Sequence, residues 1–280
     1  MSTFYNTNIS AGISCFLHST TDKLKKYLPV HVILDIISYV KFETIEDYLS
    51  ILTFLDCQMI DDHTFVVFRN MFEKFRIKET KYGYYGDKYQ KNLNKHILIH
   101  ATNHGLYHIL KRELEFLKKQ MEADVKNAYK VFPFDDEGKN ALHYAAIKGD
   151  IETFKMIESY FPKYINCVSR KNGYSTLEFA VGEGNFEIVE YLLKKGALNH
   201  TTFTNKFAKN SFTIYRHTPQ HTAAENLYLD ILFKLIEYDA NMNLNIEGIS
   251  VFKTAERAGA SSSELLALKK ASLIYYNKST

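Results

Sequence analysis

DEGKNALHYAAIKGDIETFKMIESY, running from Asp136 to Tyr160, is the stretch that decides the fold. It opens on a polar turn and passes into a short run in which Ala145 and Ala146 leave room for a close neighbour. The run breaks at Gly149, and a second run follows with Phe154, Ile157 and Phe161 on one stripe at helical spacing. Two antiparallel helices joined at a glycine fit this pattern, because glycine accepts the left-handed conformation that a sharp turn needs. The plan returns twice. Lys171 opens KNGYSTLEFAVGEGNFEIVEYLLKKGALN, with Gly184 at the turn and Ile188, Tyr191 and Leu192 on the second stripe. His217 opens HTPQHTAAENLYLDILFKLIEYDANMN.

The register extends outward in both directions. Upstream, Leu98, Ala101 and Gly105 stand as Leu142, Ala145 and Gly149 do, followed by LYHILKRELEFL. Downstream, Gly248, Phe252, Ala255 and Gly259 keep the spacing, followed by SSSELLALKKA. Turn positions lie 44 residues apart from Gly105 to Gly149, then 35 to Gly184, 43 to Leu227 and 32 to Gly259. The two long intervals imply insertions around 122–134 and 200–216. The expected units are three clear ones at 135–169, 170–199 and 214–244, with degenerate ones at 94–130 and 245–275. The degenerate outer units suit caps, which must present one polar face to water.

These units resemble the ankyrin repeat, with its T-P-L-H-x-A signature. Thr218, Pro219, His221 and Ala223 match it with Gln220 in place of Leu, and Leu142, His143, Ala145 and Ala146 carry it in the first unit. The resemblance implies an all-α architecture, a repeat solenoid over 94–280, whose job is to bind another protein. Its partner face would be concave, built from hairpin tips and the outward sides of the first helices. On this chain those positions are Asp136, Glu137, Lys139, Ile147 and Lys148, then Lys171, Asn172, Tyr174 and Glu183, then His217 and Glu225. Tyr174 is the expected anchor, since a rigid aromatic loses little entropy on ordering. His221 is expected to be structural, its imidazole bonding neighbouring turns. The insertion at 200–216 carries Phe203, Phe207, Phe212 and Tyr215, which either pack on the stack or extend the recognition surface.

The amino-terminal region divides into a helical domain at 1–80 and a linker at 81–93, whose Tyr and Lys interleave around two glycines without periodicity. Within the domain, LPVHVILDIISYV spans 28–40. Pro29 suits a first helical turn, and Ile33, Ile36, Ile37 and Val40 form one apolar stripe. Further helices are expected near 45–55 and 62–75. The segment resembles the F-box through Leu28, Pro29, Ile33, Ile36 and Ile37. It departs from that motif at His31, where an acidic residue is common, and in lacking Trp. The resemblance implies docking onto an adaptor of cullin ubiquitin ligases; the alternative is a helical cap on the repeats.

Other chemistry finds little support. A net charge of +3 is too mild to argue for nucleic acid or a membrane surface, and no apolar run is long enough for a membrane span. Cys15, Cys57 and Cys167 are scattered and odd in number, which fits a reducing, cytoplasmic setting. No P-loop, GxGxxG, HExxH or GxSxG is present, so no cofactor and no catalytic residue is assigned. His96, His100, His104 and His108 recur every four residues, as metal ligands on a helix would, but the register ends that helix at Gly105. Frequent Lys, Asn and Ile suggest an AT-rich genome. Together with degenerate repeats and the F-box-like segment, this resembles ankyrin effectors that intracellular bacteria or large DNA viruses place in a host cytosol. A pure scaffold, or an enzyme with an unrecognised site in the first 130 residues, are the competing readings.

Overall fold

The computed structural model describes residues 29, 32, 45–58, 60–72, 97–123, 132–135, 137–197, 218–238, 240–243, 245–246 and 249–279. The architecture is all-α, with an ankyrin-repeat solenoid and an amino-terminal helical domain. It divides into two compact units, 1–133 and 134–280.

The amino-terminal unit contains α1 (Ile45–Cys57), α2 (Asp62–Phe72), α3 (Ile97–His104) and α4 (Tyr107–Ala123). Leu52, Leu55, Phe65, Phe68, Leu98, Ala101, Ile109 and Leu114 are all buried. The chain turns between α3 and α4 at Gly105, whose φ of 66° places it in the left-handed region. His104 and His108 therefore stand on different helices, and a four-histidine ladder does not form across the turn. This hairpin, expected as the first degenerate repeat, packs its second helix on α1. The amino end of α4 is fixed from outside: Asp56 Oδ1 accepts the Ile109 N–H at 2.8 Å. Arg112 donates from Nε to the Ile60 carbonyl at 3.1 Å and pairs with Asp62. Deeper in, Arg69 of α2 donates two bonds of 3.1 Å to the Glu113 carboxylate while its guanidinium lies 4.2 Å from the Phe116 ring centre. Burial lifts the Glu113 carboxyl to about 7, against the pull of Arg69. Of the F-box-like positions, Pro29 is exposed. Leu28, Ile33, Ile36 and Ile37 lie outside the described residues.

Among the described residues the second unit has four helical hairpins. Their first, inner helices are α5 (Ala141–Lys148), α7 (Thr176–Gly182), α9 (Pro219–Glu225) and α11 (Val251–Ala258). The outer helices are α6 (Ile151–Tyr160), α8 (Phe186–Lys194), α10 (Leu229–Glu237) and α12 (Ser262–Ser279). Inner helices pack on inner helices in sequence and outer on outer, giving two layers. Asn140, Ser175, Thr218 and Ser250 cap the inner helices, and each side chain accepts the backbone N–H three residues on. Five residues after each cap comes Ala145, Ala180, Ala223 or Ala255, each fully buried, so that neighbouring backbones approach closely. Leu142 and Leu177 fill the position two after the cap. Gln220 replaces them in the third hairpin and donates to the Asn241 carbonyl at 3.3 Å.

Two histidines lock one hairpin to the next. His143 accepts the Asn140 N–H on Nδ1 at 3.0 Å, so Nε2 carries the proton and donates to the Cys167 carbonyl at 3.0 Å. His221 receives the Thr218 hydroxyl proton on Nδ1 at 2.7 Å and donates from Nε2 to the Ile249 carbonyl at 3.2 Å. That carbonyl belongs to the short antiparallel pair β1 (Asn245–Ile246) and β2 (Ile249–Ser250). The turns between paired helices use Gly149 and Gly184 at φ 75° and 73°. Leu227 takes the same left-handed turn at φ 56° in the third hairpin. A Cβ at Gly149 would lie 2.5 Å from Asn185 Oδ1; the Asn185 amide donates to the Ala146 and Ile147 carbonyls. The insertion at 200–216 lies outside the described residues.

Two outcomes follow for stability. Leu142→Ala removes a fully buried side chain and is expected to cost about 2–5 kcal/mol by urea unfolding, whereas an unchanged midpoint would place Leu142 elsewhere. Burial pushes the His143 imidazole down to about 4, against an ordinary 6.5. Between those values the unfolded chain binds the extra proton, so stability rises with pH through the window and is flat above it. The wild type is expected to gain about 3 kcal/mol relative to His143→Gln between pH 4 and 6.5, and parallel pH profiles would contradict this.

Candidate protein-binding site

Because the caps set a common register, side chains at one count from the cap line up across the stack. Four residues after the caps stand Tyr144, Phe179, Thr222 and Thr254, all half-buried. The first two make an aromatic patch. Tyr174 meets Phe179 edge-on at 5.7 Å between ring centres, and the His143 ring lies 5.2 Å from Phe179 on another side. Lys139 holds its ammonium 5.5 Å from the Phe179 centre and 5.9 Å from that of Tyr144.

Beyond this patch a groove crosses from α7 to α9, lined by Tyr174, Phe179, Gly182, Thr222 and three glutamates, Glu178, Glu183 and Glu225. Glu178 occupies the register position that His143 and His221 hold in their own hairpins. Its carboxylate accepts the Ser175 N–H at 2.6 Å, closing a capping box, while burial raises its carboxyl above the ordinary range. Glu183 and Glu225 are exposed. Gly182 has ordinary helical backbone, and a Cβ built there would meet only Thr222 Cγ2 at 4.0 Å. Its missing side chain keeps the groove open.

The hairpin tips make a separate cluster. The Lys171 N–H donates to the Glu137 carbonyl at 3.0 Å, joining adjacent tips, and the Lys171 ammonium pairs with the Glu137 carboxylate. Lys139 adds an ion pair to Glu137 at 2.9 Å. The two lysines donate hydrogen bonds that hold the Glu137 carboxyl below its ordinary range.

The residues expected at the partner face thus fall into two groups. Glu137, Lys139 and Lys171 bond to one another at the tips, while Tyr174, Glu183 and Glu225 converge on the groove. Asn172 and Ile147 are half-buried and Lys148 is exposed. Asp136 and His217 lie outside the described residues. Sequence reading passed over Phe179, Glu178, Gly182 and Thr222. Counting from the caps finds two of them, Phe179 and Thr222, which repeat the position of Tyr144.

Cysteine chemistry has poor local support. Cys57 is exposed and Cys167 partly buried, and burial raises both thiols above their ordinary range. His143 contacts Cys167 through the backbone carbonyl. Among the described residues no group of three or more His, Cys, Asp or Glu is placed to hold a metal ion. Among them, too, no helix is long and apolar enough to cross a membrane.

Comparison with known proteins agrees with the geometry. Residues 76–205 match the family model for ankyrin repeats, in three copies. An ankyrin repeat protein of Rickettsia bellii (strain RML369-C) is similar, with 32% identity over 91 residues. That alignment covers 32% of this chain and 12% of the relative. Ankyrin repeats imply a protein–protein interaction module.

The groove carboxylates set up a test. Glu183 caps the carboxyl end of α7 and Glu225 ends α9, where the partial negative charge of the helix end disfavours an anion. Glu183→Gln and Glu225→Gln are therefore each expected to stabilise the protein by about 0.3 kcal/mol at low salt, the gain fading in 1 M NaCl. Destabilisation in thermal melts would mean that these carboxylates have internal partners.

Proposed function

We propose that the chain works by holding a protein partner on the inner-helix face of its repeat stack, centred on the groove between α7 and α9. The groove itself carries this reading: an aromatic floor of Tyr174 and Phe179, opened by Gly182 and lined also by Glu178, Glu183, Thr222 and Glu225. Tyrosine at the centre of a partly desolvated patch is the kind of residue on which binding energy concentrates. The tip cluster of Glu137, Lys139 and Lys171 stands ahead of the inner helices α5 and α7, with the Lys139 ammonium 5.5 Å from the Phe179 ring centre.

The chain acts, in this reading, as a host-directed effector within a host cytosol, and its F-box-like segment delivers the bound target to a cullin-ligase adaptor. The pattern at Leu28, Pro29, Ile33, Ile36 and Ile37 beside the repeats supports that role, as does the bacterial source of the similar ankyrin protein. One observation favours a plainer second reading, a scaffold whose amino-terminal helices only cap the repeats. The buried Arg69–Glu113 pair and the Asp56 contact fasten α1 and α2 to the α3–α4 hairpin, which is what a cap would do.

A pull-down from eukaryotic lysate, read by mass spectrometry, separates these readings. Wild type is expected to capture a cullin adaptor together with a target. Leu28→Ala/Pro29→Ala should lose the adaptor alone, and Tyr174→Ala should weaken the target by about tenfold or more. Capture of the same proteins by wild type and the double variant, without an adaptor, would leave the scaffold. Capture unaffected by Tyr174→Ala would move the partner away from the groove.

A further inference from the structure

We infer that the groove between α7 and α9 takes a lysine or arginine side chain from an extended, basic segment of the protein partner. The inference rests on the reading that this face binds protein, and adds to it the chemistry of what is bound.

Every ionisable carboxyl lining the groove is a glutamate, and no lysine, arginine or histidine lines it. Elsewhere in this unit most of the described glutamates are matched, Glu187 and Glu264 on the outer helices being the exceptions. Glu137, Glu152, Glu158, Glu190, Glu237 and Glu256 each stand within ion-pair distance of a lysine. Among the described residues no such partner serves Glu178, Glu183 or Glu225, although the whole chain carries an excess of three positive charges. Two of these carboxylates also sit at helix carboxyl ends, where Lys148 stands at the end of α5 and satisfies the helix instead. Anions held in unfavourable positions without an internal cation are the kind of local inconsistency that marks a site completed by a ligand.

The groove floor suits the rest of a basic side chain. The Tyr174 and Phe179 rings offer apolar surface to the methylenes of a lysine or arginine, while the charged end reaches the carboxylates. The electron-rich ring faces add to the attraction of a cation, and the Phe179 ring already has the Lys139 ammonium near it on the tip side. An acidic side chain would be repelled. An apolar one would strip water from the three carboxylates and return nothing to them, at a cost in desolvation. Gly182 supplies the room, because a methyl there would touch only one atom of Thr222.

The same space allows a test that leaves the fold standing. A phage-displayed library of random dodecapeptides is selected on the full chain, and the recovered peptides are synthesised with a fluorescent label for anisotropy. Gly182→Phe fills the groove, Glu183→Gln/Glu225→Gln removes charge without removing volume, and Glu187→Gln on α8 serves as a control. Melting curves verify that each variant is folded; should Gly182→Phe fail this check, the charge variant decides alone. Peptides enriched in Lys and Arg are expected, with affinity falling about tenfold or more in both groove variants and unchanged in the control. Binders that need the groove but carry no basic enrichment, or that bind the charge variant as well as wild type, overturn the inference and leave the interaction reading intact. Binders indifferent to both groove variants, or no binder at all, also overturn it. A protein partner captured from lysate in a Tyr174-dependent way would show even then that the broader reading survives.

Discussion

Each short inner helix begins with backbone N–H groups that have no partner of their own, and the way the chain satisfies them organises the whole stack. Asn140, Ser175, Thr218 and Ser250 meet this need from the residue just before each helix. Helices of seven or eight residues have little intrinsic stability, so they exist only because they are capped and buried. His143 and His221 then extend each cap to the carbonyl of the following hairpin. A buried neutral imidazole is well suited to this, since one nitrogen accepts and the other donates, and both are used. The second hairpin substitutes Glu178, which closes its cap locally and stands in the groove. The same register position therefore binds hairpins together in two repeats and lines the candidate site in a third.

The site follows from that alignment. Inner helices held in one register present matching positions side by side, and chance differences among the repeats become a surface with distinct regions. Aromatic residues at the fourth position give way to threonines between α7 and α9, and Gly182 opens the boundary. The outer layer is of another character. Glu158 receives the Tyr191 hydroxyl at 3.1 Å and Lys195 at 3.4 Å, and Lys234 reaches back to Glu190 at 3.3 Å. These pairs tie neighbouring outer helices, with Glu158 buried and Lys234 half-buried. Three glutamates without such a partner among the described residues, Glu178, Glu183 and Glu225, line the groove on the inner face.

Much of this is legible in the sequence. The turn positions, down to the equivalence of Leu227 with Gly149 and Gly184, came from spacing alone, because a left-handed residue between antiparallel helices recurs at a fixed count. The structural part played by His221 followed from its motif. What spacing does not reveal is which outward-facing residues meet. Glu137 and Lys171 are 34 positions apart and bond at adjacent tips, which turned two expected contact residues into partners of each other. Arg69 and Glu113 are 44 positions apart on different helices, and only packing shows that they bury one another. That pair joins the α3–α4 hairpin to α1 and α2, so the amino-terminal helices and the hairpin expected to open the repeats form one compact body.

A partner held on the inner-helix face is the claim on which the functional reading stands. Hydrogen–deuterium exchange of the full chain, alone and with a captured partner, tests it without altering a residue. Added protection is expected across 174–183 and 218–226, with the outer helices at 186–194 and 229–237 unchanged. Protection confined to those outer helices, or to the amino-terminal unit, would contradict it.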